Sequence, residues 1–203
     1  MDYRSAAGAS IFIGAVQFVM GMLLAEFLYP GYSASDNYIS DLGATCRDTC
    51  IIQQPSASIF NVSVVLLGML LLIGSYFLWN EFHNFLFTVL FALAGAGAVG
   101  VGVFPETAGV VHELASLAAF LFGGLSAIFA FKLVKAPFTY FSLLLGITSL
   151  TALVLFISEI YLGLGPGGME RMIAYPVLLW ATGFGGNLMS SQKSLSDRKL
   201  FLL

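Results

Sequence analysis

Charged side chains are scarce in this chain. Asp, Glu, Lys and Arg together make up 9% of its 203 residues, against about a quarter in an average soluble domain. This deficit excludes a soluble globular domain, a disordered chain and a coiled coil, because all three depend on a charged or polar surface. Only eight residues are Lys or Arg, so the chain lacks the basic patch with which proteins bind nucleic acid.

Long apolar segments, in contrast, are abundant. Hydrophobic residues make up 59% of the chain, and six stretches of 18 to 32 residues contain no Asp, Glu, Lys or Arg. A helix of about 20 apolar residues crosses the hydrocarbon core of a bilayer. The sequence therefore predicts an all-α, polytopic transmembrane bundle of six helices, formed as one domain over residues 1–190 and followed by a short tail, 191–203. The predicted helices span residues 6–29, 57–79, 84–104, 112–133, 138–162 and 170–190.

Basic residues predict the orientation of the bundle. Six spans place both termini on the same side, and loops on the cytoplasmic side of a membrane carry an excess of Lys and Arg. If the termini are cytoplasmic, that side has six basic residues and the outer side has two. We therefore predict a cell-membrane protein with both termini in the cytoplasm. The inner residues are Arg4, Lys132, Lys135, Lys193, Arg198 and Lys199, and the outer ones are Arg47 and Arg171.

Acidic residues are also unevenly distributed, with eight of the eleven on the outer side. Acids contribute little to membrane orientation, so this clustering needs another explanation and is the first hint of function. The longest outer loop lies between helices one and two, at about residues 30–56. Its tyrosines suit the membrane interface. We expect this loop to lie over the bundle as an extracytoplasmic cap.

The cap loop contains both cysteines of the chain, Cys46 and Cys50. Outside the cytoplasm, neighbouring cysteines are usually oxidised, and a helical segment here would place their Cα atoms roughly 6 Å apart, within disulfide range. We therefore predict a structural disulfide. Metal ligation is the alternative, but no nearby histidine completes a zinc site. A redox pair is not favoured either, since three residues rather than two separate the cysteines.

Polar residues at the outer helix ends form the candidate ligand-binding set. An ionisable side chain in or beside hydrocarbon costs roughly 2.5–3.5 kcal/mol, so these residues should face the bundle interior, pair with one another or meet water. One interpretation is a structural salt-bridge network centred on Arg171. The other is a binding or catalytic cavity open to the outer leaflet, and the two can coexist. The set consists of Asn61, Glu106, Glu113, Glu159, Glu170 and Arg171.

His112 and Asp41 are the candidate catalytic residues. His112 and Ser116 are four residues apart on a predicted helix and therefore share a face. Such a pair can act as a general base and a nucleophile, but a capped helix start beside a small interface residue has the same pattern. The other histidine, His83, is predicted at the inner side, so the two cannot ligate one haem. The sequence therefore identifies no metal and no cofactor.

Four segments of the chain resemble the six-helix archaeal and bacterial membrane proteins catalogued as domain of unknown function 998. A more distant resemblance, to eukaryotic six-helix proteins linked to lipid remodelling, rests on a polar Ile-Ser-Asp segment after helix one. The family implies no activity, but its recognisable motifs include Asp41, His112, Glu170 and Arg171. The four segments are YPGYSASDNYISDLGA (29–44), FNVSVVLLGMLLL (60–72), GVFPETAGVVHELASLAAFLFGG (102–124) and GGMERMIAYPVLLWATGFG (167–185).

Two hypotheses for the function follow. In the first, the protein binds or modifies a lipid or other amphiphile from the outer leaflet, with Arg171 pairing an anionic headgroup. If it is an enzyme, hydrolysis or transfer with His112 as general base is the simplest reaction. In the second, it is a non-enzymatic accessory or scaffold subunit of a membrane complex. A cavity between helices at the outer leaflet would favour the first, and a filled bundle the second.

Overall fold

A computed structural model describes residues 2–46 and 49–190 and confirms the all-α bundle. Five of its six α-helices are long and apolar enough to cross a membrane. The sixth is less apolar because it contains several glycines, Pro176 and Asn187, and its crossing of the membrane stays a prediction. The helices are α1 (Tyr3–Phe27), α2 (Ser56–Phe82), α3 (Phe85–Val103), α4 (Val110–Phe129), α5 (Phe138–Ile157) and α6 (Gly165–Ser190).

The six helices form a closed ring. Each helix packs against its neighbours in the chain, and α6 returns to pack against α1. Buried aromatic side chains fill part of the ring's axis, where Trp180 stacks on Phe184 with ring centroids 5.1 Å apart and Phe87 meets Phe184 edge-on at 5.8 Å. Because the axis of such a ring is filled only by side chains, any gap between them becomes an internal cavity.

Helix α3 packs closely against α4. Glycine alternates with alanine and valine along its outer half, a pattern typical of close helix contacts in membranes. A Cβ atom placed on Gly97 would lie 2.8 Å from the Ala115 carbonyl oxygen, which belongs to the α4 backbone. The two backbones are therefore in direct contact, and only glycine fits at this position.

The outer ends of α5 and α6 differ from the sequence prediction. Helix α5 ends at Ile157 rather than at residue 162, because Glu159 takes a left-handed backbone conformation with φ 57°, which a right-handed helix cannot include. Helix α6 begins at Gly165 rather than at 170, with Pro166 in its first turn, where proline is favoured. Glu159 consequently lies in an exposed loop and not inside the bundle.

The cap loop is folded and contains the predicted disulfide. A 3₁₀ turn, Ser40–Leu42, precedes a two-stranded antiparallel hairpin, β1 (Thr45–Cys46) and β2 (Cys50–Ile51). Cys46 pairs with Cys50 across the hairpin, and the disulfide joins them at a Cα–Cα distance of 4.1 Å. The disulfide therefore closes a hairpin and not a helical segment. Arg47, Asp48 and the predicted tail 191–203 lie outside the described residues.

The contact between α3 and α4 generates a first prediction. Gly97→Ala should destabilise the protein by about 1–3 kcal/mol, since the added methyl group forces two helix backbones apart. The measurement is thermal unfolding of the purified protein in one mild detergent. Gly186→Ala in α6 is the matched control, because nothing lies within 4 Å of a Cβ atom there. Equal melting temperatures for the two variants would contradict the close packing.

Candidate functional site

The Arg171 side chain joins the cap to the bundle. Its Nη2 donates to Glu26 Oε1 on α1 at 2.5 Å and to the Tyr32 hydroxyl at 2.7 Å. The Tyr32 hydroxyl in turn donates to the Tyr38 carbonyl oxygen at 2.8 Å. Arg171 is 7% exposed, so these bonds form where water does not compete strongly. Its Nη1 donates to three backbone carbonyl oxygens, those of Ala34 (2.9 Å), Gly167 (3.0 Å) and Asn37 (3.2 Å).

This network is smaller than the sequence predicts. Among the described residues, Glu26 is the one acidic residue that forms a salt bridge with Arg171. Glu113 and Glu159 are exposed, and the Glu170 carboxylate accepts the backbone N–H of Ile39 instead. Both terminal nitrogens of Arg171 donate hydrogen bonds within the protein and so tie the cap to α6 and α1, and a pairing of Arg171 with a ligand headgroup stays a prediction.

Glycine at the start of α6 lets the cap dock closely. The backbone N–H groups of Gly167 and Gly168 donate to the Ser35 carbonyl oxygen at 2.9 and 3.3 Å. A Cβ atom on Gly167 would collide with the Asn37 carbonyl oxygen. The cap backbone therefore lies directly on the first turn of α6, which places Ile39 and Ser40 beside Glu170.

Asp41 and Asn61 lie apart from the other candidates. Asp41 is 1% exposed, and its Oδ2 accepts hydrogen bonds from Asn37 Nδ2 and from the Tyr38 N–H, both at 2.9 Å. The Asn61 side-chain oxygen is buried against Gly43. Neither residue lines the cavities described below. Asp41 thus shapes the cap loop, and a role of either residue in catalysis or binding stays a prediction.

A chamber of about 670 Å³ lies beneath the cap, between the outer ends of α4, α5 and α6. It brings together several predicted site residues from separate parts of the chain. Glu159 is not among them. The polar lining consists of Ser40, Glu106, His112, Glu113, Ser116 and Glu170, and the apolar lining includes Leu117, Phe120, Leu153, Phe156 and Ile157.

Glu106 links the second outer loop to the cap. It begins a 3₁₀ turn after Pro105, and its two carboxylate oxygens accept the Ser40 hydroxyl at 2.8 Å and the Cys46 N–H at 3.1 Å. Burial raises the pKa of Glu106 above its usual value, although these two hydrogen bonds oppose the shift. Glu106 therefore contributes both to the docking of the cap and to the polar wall of the chamber.

His112 and Ser116 form a hydrogen-bonded pair on α4. His112 Nδ1 lies 2.8 Å from the Phe104 carbonyl oxygen, and His112 Nε2 lies 3.3 Å from Ser116 Oγ. A carbonyl oxygen only accepts, so Nδ1 carries the proton. In the neutral ring Nε2 is then an acceptor, and the Ser116 hydroxyl donates to it. The i,i+4 spacing in the sequence correctly predicts that the two side chains share a face.

A second, apolar cavity of about 110 Å³ runs along the axis of the ring. It adjoins the chamber, because the two share the lining residues Ser40, Ser116, Phe120 and Glu170. We refer to this cavity as the tunnel. Its apolar wall comes from α1, α2, α3, α4 and α6 and includes Phe18, Leu67, Phe91, Ala98, Val177 and Trp180.

Sequence reasoning did not identify Ser40, Tyr38 or the aromatic residues of the chamber wall. Ser40 and Asp41 are adjacent in a 3₁₀ turn, so one faces the chamber while the other points into the cap. A short polar loop has no periodicity from which this choice could be read. The described residues contain no group of three or more His, Cys, Asp or Glu side chains that could hold a metal ion.

The Arg171 network generates a second prediction. Glu26→Gln and Arg171→Gln should each destabilise the protein by about 3–5 kcal/mol, because each leaves a buried charge without its partner. The double variant should lose less than the sum, which a double-mutant cycle of unfolding free energies measures. Glu159→Gln serves as the control, because Glu159 is exposed and forms no salt bridge within the part of the chain that the structure describes. Additive losses in the double variant would show that the two side chains are not coupled.

Comparisons with known proteins are consistent with this architecture. A family model described as a protein of unknown function (DUF998) matches residues 12–186, which cover at least part of every helix. No curated protein and no solved structure matches the chain. With five helices able to cross a membrane and a family match over most of its length, the protein is an integral membrane member of the DUF998 family.

Proposed function

We propose that this protein binds a single-chain amphiphile, with the polar headgroup in the chamber and the apolar chain in the tunnel. The observation that carries the proposal is the adjacency of a polar compartment and an apolar one, which share four lining residues. The chamber volume of about 670 Å³ falls within the range of about 300–1,000 Å³ typical of small-molecule sites. Open cavities also favour ligand binding over a scaffold role, which needs only a filled bundle.

The charges of the chamber favour a headgroup that carries an amine. Glu106, Glu113 and Glu170 line it, and its described lining contains no Lys or Arg. Arg171, which the sequence suggested as a partner for an anionic headgroup, is bonded to Glu26 and to backbone carbonyls instead. Aromatic rings attract ammonium groups as well, and the chamber wall contains three of them, those of Tyr38, Phe120 and Phe156.

The amphiphile has a route into the chamber between α4 and α5. Glu113, Leu117 and Ile157 line the chamber and are also exposed at the surface, so the chamber opens between the outer ends of these helices. Leu117 and Ile157 offer an apolar edge to an alkyl chain, whereas Glu113 stands on the same rim. An amphiphile could therefore enter sideways from the membrane without crossing the cap.

Binding of alkyl ligands tests this proposal. An alkyltrimethylammonium should bind at least about tenfold more tightly than an alkyl sulfate of equal chain length, a difference of about 1.4 kcal/mol. Each added methylene should strengthen binding by up to about 0.8 kcal/mol until the tunnel is full. Native mass spectrometry of the protein, released from a mild non-ionic detergent, measures both trends.

Matched variants separate the headgroup site from the chain site. Glu106→Gln should reduce the preference for the ammonium ligand, whereas Glu159→Gln, outside the chamber, should retain it. Ala98→Phe should fill the tunnel, since Ala98 is buried in its wall, and should abolish the dependence on chain length. Equal binding of both ligands to the wild-type protein, independent of chain length, would contradict the proposal.

We further infer that the cap lies outside the cell and that both termini lie in the cytoplasm. The Arg4 side chain at the start of α1 lies 3.5 Å from Glu81 at the end of α2, so this basic residue near the N-terminus belongs to the end of the bundle opposite the cap. That end also carries Lys132 and Lys135. The disulfide at the cap end suits an oxidising compartment, and the basic residues suit the cytoplasmic side.

Cysteine labelling in intact cells tests the orientation. After brief reduction, a membrane-impermeant maleimide should label Cys46 and Cys50 without lysis of the cells. Lys135→Cys, in a variant with both native cysteines replaced by serine, is the matched control for the opposite end, because Lys135 is exposed there. It should be labelled only after lysis. The reverse pattern would show that the bundle is inserted with the cap inside.

A further inference from the structure

We infer that Ser116 is an acyl-transfer nucleophile, that His112 is its general base, and that the substrate is an ester joining the headgroup and the chain of the bound amphiphile. This inference rests on the proposed function, because it requires the ligand to occupy both cavities. It goes beyond that function in assigning a covalent reaction to two residues of α4.

The position of Ser116 supports its role as the nucleophile. Ser116 lines both the chamber and the tunnel, whereas His112 lines the chamber alone. In an amphiphile with its headgroup in the chamber and its chain in the tunnel, the bond between the two parts lies at the junction of the cavities. Ser116 Oγ is therefore placed beside the linkage and away from both ends of the ligand.

The hydrogen bonding of Ser116 also supports its role as the nucleophile. A serine inside a helix commonly donates to the carbonyl oxygen four residues before it, and Ser10, Ser63 and Ser126 do so at 2.9, 2.7 and 2.7 Å. Ser116 instead lies 3.3 Å from the Nε2 atom of His112. Its hydroxyl proton is thus directed to a base rather than to the helix backbone.

The orientation of His112 supports its role as the general base. Nucleophile and base pairs work when a third group fixes the tautomer of the histidine. Here the Phe104 carbonyl oxygen, 2.8 Å from Nδ1, takes that position, and the Phe104 N–H is held by the Gly100 carbonyl oxygen at 2.8 Å. His112 is 6% exposed, so its orientation is set by these contacts and not by solvent.

The proposed reaction has two steps, acylation of Ser116 and hydrolysis of the acyl-serine. Ser116 Oγ bonds to the ester carbonyl carbon while its proton passes to His112 Nε2. The bond from that carbon to the alcohol oxygen then breaks, and His112 returns the proton to the departing alcohol. Water repeats the sequence on the acyl-serine, with His112 taking a proton from the water and giving it to Ser116 Oγ, so that the net products are a carboxylic acid and an alcohol.

An alkyl fluorophosphonate tests the inference on the full-length protein in mild detergent. A serine activated by a base displaces fluoride from this probe and keeps the phosphonyl group as a stable adduct, which intact-mass spectrometry and peptide mapping locate. We expect one adduct on Ser116 in the wild-type protein and none in Ser116→Ala. His112→Gln should slow labelling at least about 100-fold, the usual contribution of a general base.

Ser126→Ala is the matched control, because Ser126 is a buried serine on the same helix that lies outside both cavities. It should be labelled at the wild-type rate, and melting temperatures should show that each variant is folded. Labelling of Ser116→Ala, or of another residue in the wild-type protein, would overturn the inference. So would a wild-type rate in folded His112→Gln.

The two proposals fail in different ways. An unlabelled wild-type protein that still binds the alkyltrimethylammonium ligand would overturn the nucleophile and leave amphiphile binding intact. An unlabelled protein that binds neither alkyl ligand would overturn both. Labelled Ser116 together with retained ligand binding in Ser116→Ala would support the assignment of one site to binding and reaction.

Discussion

The guanidinium group of Arg171 is the interaction on which the outer half of the structure depends. A buried arginine is tolerated where its charge is balanced and its terminal nitrogens have acceptors. Here Glu26 supplies the opposite charge, and three backbone carbonyl oxygens accept from the other terminal nitrogen. Two of these carbonyls belong to the cap. The guanidinium group that pairs with Glu26 in the bundle therefore also holds the cap loop in place.

Docking of the cap covers the chamber. Once Arg171 holds the segment from Ala34 to Asn37, the next residues, Ile39 and Ser40, meet the carboxylates of Glu170 and Glu106. The cap thereby covers the chamber with hydrogen-bonded backbone, which costs little to bury because its donors are paired. Three of the eight outer acids are explained in this way, since Glu26, Glu106 and Glu170 each accept hydrogen bonds that position the cap.

The sequence predicts how deep these residues lie in the membrane better than it predicts which way their side chains point. Runs of uncharged residues locate helices because crossing a bilayer requires them, and the outer-side acids and the cysteine pair follow from the same reading. Charge counting does not show which way a side chain faces. It grouped Glu159 with Glu170, although a left-handed backbone at Glu159 ends α5 and turns that residue outward. It also left open whether Arg171 pairs with groups of the protein or with a ligand, because the carbonyl oxygens that accept its hydrogen bonds have no signature in a sequence.

The Ser116–His112 pair illustrates the same limit at smaller scale. Spacing of four residues on a helix predicts that the two side chains share a face, but a capping pair and a reactive pair share that spacing. What separates them is the environment, namely the Phe104 carbonyl oxygen at Nδ1 and the two cavities that meet at Ser116. Both depend on the turn 104–109 and on the ring of helices closing around its axis. The reactivity proposed for this pair is therefore a property of the assembled bundle, because α4 alone provides neither the group that orients the histidine nor the space for a ligand.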